Sequence, residues 1–437
     1  MLTAEENETL TRVGPQTPMG RMMRRFWMPI ATSAQVPEPD GDPLRARLFG
    51  ESFVVFRDSA GQIGVLDELC MHRGVSLALG RVEDGGVRCL YHGWKFGADG
   101  TILDTPNHCS ERFRTRMKAP AYPVVEAGGL VWTYIGPKKQ QPPFPHFAFM
   151  DVPEENRTVI RANVACNYLQ LYEGGVDSSH VGILHSNQAN PTWKAGEFTA
   201  NDEDDNPGAI SVADNAPALE IEDTAFGFHY VAKRVASVSE DGTPAHSIRT
   251  TPVFLPVGRV IPAPTVEFYV FEVPLTDVET ATFIVIYGDR PVSRPRFMEM
   301  LGLDDERFFD EASADFLGHR LPGFGQDRPS MATGWTGLRG IQQEDATLAL
   351  SMGPIVDRTK EHVVAADRAI MHLRAQLLES VRGHEAGGHP LGLVADYGPM
   401  RSLCDTDLEP GQAWQDHVPG NRTVTTVADD EQMATTS

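Results

Sequence analysis

Over much of the first third of the chain, apolar and polar positions alternate with the two-residue period of half-buried strands. Between about Leu44 and Pro137, LRARLFG alternates, and ESFVVFRD and IGVLDEL flank the turn Ser59–Ala60–Gly61–Gln62. Gly97–Ala98–Asp99–Gly100 has hairpin-turn composition, and Glu126–Ala127–Gly128–Gly129 opens another turn before LVWTYIG. The pattern predicts a compact all-β unit of about a hundred residues. A proline-rich stretch, Pro137 to Pro145, marks its boundary. Beyond it the text is mixed. Asn167 to His180 has helical character, Ser186 to Asn215 reads as a long polar loop, and strand-like alternation returns from about Leu219 to Tyr287. Further helices are expected around Asp305–Leu317 and Asp367–Val381. In the second, Ile370, Leu373, Leu377 and Val381 recur at helical spacing and mark a core face. After about Asp405 the text is acidic and rich in Thr and Ser, as in a mobile tail or a late docking arm. Three segments are therefore expected: 1–145, an N-terminal stretch with the β unit; 146–405, a mixed domain; and 406–437, a tail.

Composition narrows the functional classes. The chain has 437 residues, 41% hydrophobic and 22% charged. At roughly 100–200 residues per domain, that suits two or three domains with real cores. The opening MLTAEENETLTRVG is acidic and lacks the charged-then-apolar profile of a signal peptide. No apolar run approaches the ~18 residues needed to cross a bilayer. Five cysteines argue against a disulfide framework, so a soluble protein of the reducing cytoplasm is expected, with no membrane partner. The formal net charge of -22 and the lack of a basic tail exclude nucleic acid as a partner. Against that background an anionic substrate would need local positive charge in its pocket.

The most informative residues are Cys70-Met71-His72 and Cys89-Leu90-Tyr91-His92. Each pair follows a strand-like run, so both lie on loops that can converge to offer two thiolates and two imidazoles. Zinc accepts Cys2His2 sites, but zinc motifs usually pair Cys with Cys and His with His rather than interleaving them. In a Rieske centre, histidines replace two cysteines on one iron of a [2Fe–2S] cluster, which raises its potential. Cys-x-His, sixteen intervening residues, then Cys-x-x-His resembles the Rieske motif of ring-hydroxylating oxygenases, within LDELCMHRGVSLALGR and RCLYHGWKF. Relatives usually carry Pro where Met71 stands, which is not a ligand position. Cys109, Cys166 and Cys404 have no partner spacing and read as packed thiols.

A second constellation lies in NYLQLYEGGVDSSHVGILH, which holds Glu173, Asp177, His180 and His185. On an unbroken helix of 3.6 residues per turn, His185 would fall about 140° from His180. For both to hold one metal, the helix must end or bend, and Val181–Gly182 permits this. Two histidines and one carboxylate on a single face leave positions open for O2, as in non-haem Fe(II) oxygenases. The resemblance implies that the carboxylate is an Asp on a late helix, matched by Asp345 in IQQEDATLALSMGPIVDR. Glu344 is adjacent, but one residue turns a helical side chain by about 100°, so both cannot serve alike. The resemblance also implies that Asp177 joins the two centres by hydrogen bonds to imidazoles, pairing with His92 or His72 of another chain in a ring of subunits.

The chain is similar to the phthalate-dioxygenase branch, over roughly the first 190 residues and again at GIQQEDATLALSMGPIVDRTKEH. The resemblance implies an α+β chain: an N-terminal all-β Rieske domain, then a catalytic domain with an antiparallel sheet flanked by helices, of the helix-grip (START-like) kind. It implies mononuclear Fe(II) and O2 beside the cluster, electrons from NAD(P)H through a separate reductase with or without a ferredoxin, and a homotrimer or stacked hexamer. The substrate would be an aromatic acid. Oxidation by O-demethylation of a methoxylated lignin-derived acid such as 5,5'-dehydrodivanillate is the expectation, with phthalate-type ring cis-dihydroxylation as the alternative. A Rieske electron carrier without catalytic iron is the remote third. Lys233, Arg234 and Arg249 lie in the strand-like text HYVAKRVA and HSIRTTPVF. Planar guanidinium grips a carboxylate bidentately, so Arg249, then Arg234, are the candidate substrate anchors, although each also reads as a solvated strand residue. The loop around Asn201–Asn206, with Trp193, is a candidate cover for the pocket.

Overall fold

The computed structural model describes residues 2–108, 110–186, 216–238, 244–409 and 411–428. The candidate cover with Trp193 and Asn201–Asn206, and Cys109, lie outside the described residues. The chain divides into two units. One comprises Val13–Phe144 with Val273–Thr276, and the other Met1–Arg12, Pro145–Glu272 and Asp277–Ser437.

The first unit is built from short antiparallel strands: β1 (Met28–Thr32), β2 (Leu44–Leu48), β3 (Glu51–Arg57), β4 (Ile63–Asp67), β5 (Arg81–Glu83), β6 (Gly86–Arg88), β7 (Lys95–Phe96), β8 (Ile102–Asp104), β9 (Val124–Ala127) and β10 (Leu130–Thr133). They form three small sheets, ordered β1-β10-β9, β2-β3-β4 and β5-β6-β7-β8. The Gly97–Gly100 turn joins β7 to β8, with Gly100 N donating to Gly97 O at 2.9 Å. Two cysteines sit in the core itself: Cys70 and Cys89 pack with Val54, Phe56, Leu66, Leu77, Trp94 and Phe96.

In the second unit a ten-stranded sheet runs β12-β13-β14-β15-β16-β17-β11-β19-β18, with β20 added beside β14. Its strands are β11 (Arg157–Val164), β12 (Ala218–Thr224), β13 (Gly227–Val238), β14 (Pro244–Phe254), β15 (Gly258–Ile261), β16 (Glu267–Thr276), β17 (Glu279–Tyr287), β18 (Phe309–Asp310), β19 (Asp315–Phe316) and β20 (Leu403–Leu408). The sheet is mixed, because β11 and β19 pair in parallel. Helix α1 (Tyr168–Val176) lies against it, buried almost all round. Tyr172 Oη donates to the carbonyls of Phe254 and Gly258, and Tyr230 Oη on β13 donates to Val176 O. Helix α2 (Ile341–Ser351) shares a core with α1: Leu171 clusters with Ala346, Ala349 and Leu350. A long helix, α3 (Arg368–Glu385), buries Leu373, Leu377 and Val381 as its spacing predicts.

Three expectations differ from what is seen. The stretch 305–317 is not a helix but the β18–β19 hairpin. Asp310 accepts from Ala312 N and Ser313 Oγ across its turn, and side-chain bonding of this kind competes with helix. Residues before Val13 pack with the second unit: Tyr168 Oη donates to Leu10 O, and Arg358 Nη1 to Asn7 Oδ1. The boundary placed at 406 falls inside β20, which pairs with β14, and beyond it Trp414 and Asn421 are buried. Acidic composition hid this segment because only a few of its residues carry the packing. No helix among the described residues is long and apolar enough to cross a membrane.

Candidate metal centres

The two Cys/His loops of the first unit are the same backbone turn used twice. Cys70 N donates to Val75 O at 2.8 Å and Gly74 N to Cys70 O at 2.8 Å. In the second loop Cys89 N donates to Trp94 O at 2.8 Å and Gly93 N to Cys89 O at 3.0 Å. The offsets, five and four residues, are identical. Each turn closes on a glycine in left-handed backbone, Gly74 at φ 72° and Gly93 at φ 75°, a region that any side chain strains. The histidine stands two residues past the cysteine in one loop and three in the other.

These loops bury the sulfurs and leave the imidazoles at the rim. The His72 and His92 rings lie 4.5 Å apart, and Trp94 stacks flat on His72 at 4.5 Å and 3°. Trp94 is fixed by its Nε1 donating to Asn107 Oδ1 at 2.8 Å. Burial pushes the Cys70 thiol up to about 11, with Cys89 beside it adding to the rise and the backbone N–H groups of His72 and Arg73 opposing it. Two buried sulfurs side by side, with backbone N–H groups aimed at that of Cys70, suit thiolates held by a metal cluster. Around the histidines, Leu69, Leu90 and Tyr91 are 57%, 60% and 53% exposed.

In the second unit α1 ends at Val176, and Asp177 caps it in extended backbone. The break thus precedes His180 rather than falling at Val181–Gly182. A single helical turn, Val181–Leu184, then separates the two histidines, with Ile183 N and Leu184 N both donating to His180 O. This brings the rings to 5.1 Å. Helix α2 brings Asp345 to them, its Oδ1 3.3 Å from His185 Nε2 and 3.8 Å from His180 Nε2. The three donor atoms lie within 4.8 Å of one another. Asp345 keeps 30% of its side chain exposed.

Glu344 faces elsewhere, as its 100° offset requires. Its Oε2 meets His185 Nδ1 at 2.7 Å, and its Oε1 accepts from Thr336 Oγ1 at 2.6 Å. A carboxylate on the far nitrogen fixes the ring and turns Nε2 toward the centre. Burial opposes a charged His185, yet Asp345 and Glu344 outweigh it and bring the imidazole up to about 10. The pocket favours positive charge at its middle, and two imidazoles with one carboxylate form the donor set of non-haem Fe(II) sites.

Asp177 lies beside this centre. Its Oδ1 accepts from Ser179 N and Oγ, and its Oδ2 lies 3.5 Å from His180 Nδ1. Arg234, fully buried on β13, donates through Nη2 to Ser178 O at 2.8 Å, bracing the segment between Asp177 and His180. Arg249 on β14 donates to Pro262 O at 3.1 Å. Lys233 points to the opposite face, where it pairs with Glu220. Cys166 is a buried core thiol, and Cys404 lies on β20. Sequence reasoning missed the partner role of Glu344 and all of Thr336. It also missed a buried ion pair, Arg259–Glu272, on the sheet. The 100° rule was a signal for Glu344. For the others, no local spacing exists.

Residues 26–123 match the Rieske [2Fe-2S] domain family, and residues 133–425 match the LigXa C-terminal domain-like family. The chain is 36% identical to the phthalate 4,5-dioxygenase oxygenase subunit of Pseudomonas putida, covering 95% of each. It is 27% identical to the 5,5'-dehydrodivanillate O-demethylase oxygenase subunit of a Sphingobium species, covering 91% of this chain and 84% of that one. Among solved structures, Pseudomonas putida NdmA with caffeine shares the fold at a TM-score of 0.57 and 17% identity, over 90% of this chain and all of the other. The chain therefore belongs to the Rieske non-haem iron oxygenases of the phthalate-dioxygenase-like branch, as an oxygenase subunit whose cofactors are a [2Fe–2S] cluster and a non-haem iron.

Proposed function

We propose that this oxygenase subunit uses O2, with electrons from a separate reductase, to oxidise an aromatic carboxylate. Cys70, His72, Cys89 and His92 would hold the cluster, and His180, His185 and Asp345 the iron. The iron supplies the O2 chemistry when bound. The protein's part is to fix the imidazoles through Glu344 and Asp177, and to orient the substrate.

The observation that carries the substrate class is the charge on one face of the sheet. Ala232 pairs with Arg249 and Arg234 with Ser247, so both arginines project from the same side. That side also carries Tyr230, whose hydroxyl reaches α1 at Val176 O. In a chain of net charge -22, two arginines facing the helix that leads to the ligand histidines favour an anionic substrate. Arg249, with Arg234 second, is the anchor in this reading.

Two oxidations fit an aromatic acid. Greater similarity over the whole chain to the phthalate dioxygenase than to the O-demethylase supports ring cis-dihydroxylation as the first reading, with the expected O-demethylation second. Asp177 would carry electrons' passage by joining an iron histidine to a cluster histidine of a second copy in a trimeric ring. A single turnover of reduced, metal-loaded protein with phthalate and with a methoxylated aromatic acid, read by mass spectrometry, tests the reading. Gain of two oxygens and two hydrogens marks dihydroxylation, and loss of a methylene with formaldehyde release marks demethylation. Conversion of neither acid overturns the proposal.

A further inference from the structure

The face that holds Arg234 and Arg249 carries a third arginine. Val253 on β14 pairs with Arg259 on β15, and Val253 shares its side of the strand with Arg249. Arg259 in turn pairs with Val270, on the same side of β16 as Glu272. Arg259 is 5% exposed. Its Nη2 donates to Glu272 Oε1 at 2.9 Å, while Glu272 Oε2 accepts from Thr282 Oγ1 at 2.6 Å. Glu272 is thereby occupied at both oxygens, and it pins one corner of the guanidinium.

Among the described residues the other two nitrogens have no acceptor. Arg259 Nε and Nη1 are buried and unpartnered. Buried donors left unpaired are destabilising, most of all on a charged group, so a group that faces them in the working enzyme is expected. The guanidinium lies directly over α1 at Gly175. A Cβ placed there would come within 1.7 Å of Nε, 1.9 Å of Cζ and 2.2 Å of Nη2. Nη1 is the guanidinium nitrogen farthest from such a Cβ, the corner least pressed against the helix. Gly175 is in the last turn of α1, so Arg259 lies over the end of the helix that leads through Asp177 to His180.

We propose that Arg259, on the same face as Arg249 and beside it in this role, receives the oxyanion, carboxylate or sulfonate, of the aromatic substrate, and adds to the preference for anionic over neutral rings. The inference rests on the aromatic-acid reading above and deepens it. Glu272 and Thr282 act as positioning residues, holding the guanidinium flat against α1 so that Nη1 is presented. A purely structural Arg259–Glu272 pair would explain the burial and the single hydrogen bond, but not the two donors without an acceptor.

The test uses the full chain loaded with both metals, under anaerobic conditions without reductase. Isothermal titration measures dissociation constants for benzoate, phthalate and benzenesulfonate, and for benzamide and phthalamide as neutral counterparts. Wild type is expected to favour the anions. Arg259→Gln should bind them about 10–100-fold more weakly, the factor typical of a lost charge-assisted contact, with amide affinity changed by less than about threefold. Gly175→Ala, which keeps the charge but displaces the guanidinium, should weaken anion binding in the same direction. Arg259→Gln retaining the wild-type preference overturns the proposal alone. So does a loss shared equally by anions and amides, since that marks a structural pair. A wild type that does not distinguish anions from amides overturns the aromatic-acid reading, and the role of Arg259 with it.

Discussion

In the first unit the four candidate ligands lie between Cys70 and His92, each pair on a turn that its own backbone closes. In the second unit His180 and His185 meet a carboxylate from α2, and the group that orients His185, Glu344, is 159 positions away. The first centre can be assembled by local hydrogen bonds within two short loops. The second exists only if α1, α2 and the sheet are packed, because among the described residues the partners of the His185 ring, Glu344 and Asp345, both come from α2. One centre is written locally; the other is a property of the core. Substitutions at the two centres should therefore fail in different ways.

The largest expected effect is at the local centre. Cys89→Ala removes a proposed cluster ligand that the loop cannot replace. It should abolish the visible and paramagnetic signature of the [2Fe–2S] cluster, while the iron content attributable to the second unit persists. Loss of both metals together would show that the centres are not built independently.

The distributed centre should break first through its packing. Glu173 on α1 accepts from Arg358 Nε and Nη2 at 2.9 and 2.8 Å and from Arg374 Nε at 2.6 Å, all buried. Removing one partner of such a cluster leaves buried charge uncompensated, so Glu173→Ala should destabilise by about 3–5 kcal/mol. Urea unfolding measures this, and the iron should be lost before the cluster. A shift below about 1 kcal/mol, the value of an exposed pair, would contradict the burial argument.

Glu344→Gln is subtler. Gln keeps the size of the side chain but weakens the hold on His185 Nδ1, and outer partners of this kind are worth about 10–100-fold in metal affinity. Competition with a chelator should show that weakening for the mononuclear iron, together with an altered spectrum of its nitric oxide adduct. Unchanged affinity would assign Glu344 to packing alone.

This contrast also explains what could be read from residues alone. Cys70, His72, Cys89 and His92 announce themselves by spacing, because the turn that presents them is itself local. The β-meanders around them were legible for the same reason, down to the Gly97–Gly100 turn. His180 and His185 were visible as a pair, but the helix end was misplaced, since Asp177 and its Ser179 bonds terminate α1 before the glycine does. Asp345 came from resemblance and not from any period. Arg259, Glu272 and Thr282 meet only through the register of β15, β16 and the strand beyond, which no stretch of text records. The acidic composition after Asp405 concealed β20, whose partner on β14 lies far back in the chain.

The smallest expected effect concerns a long-range tie of the second unit. His146 Nδ1 meets Asp396 Oδ1 and its Nε2 meets Asp151 Oδ2, each at 2.8 Å. The Asp396 contact is the main cause of a raised imidazole pKa, burial opposes it, and Asp151 adds to it. Because the folded-state value lies above the unfolded one, the stabilisation is complete below the ordinary histidine value of about 6.5 and is lost as pH rises through the folded value. With 42% of the side chain exposed, solvent screens the pair, and its contribution should stay below about 1 kcal/mol. Urea midpoints of wild type and His146→Gln should therefore differ slightly at about pH 5.5 and coincide at about pH 9. A gap that widens with rising pH would show that the neutral ring, not the charged one, holds His146 to Asp396. The tie between these distant segments would then be an ordinary hydrogen bond.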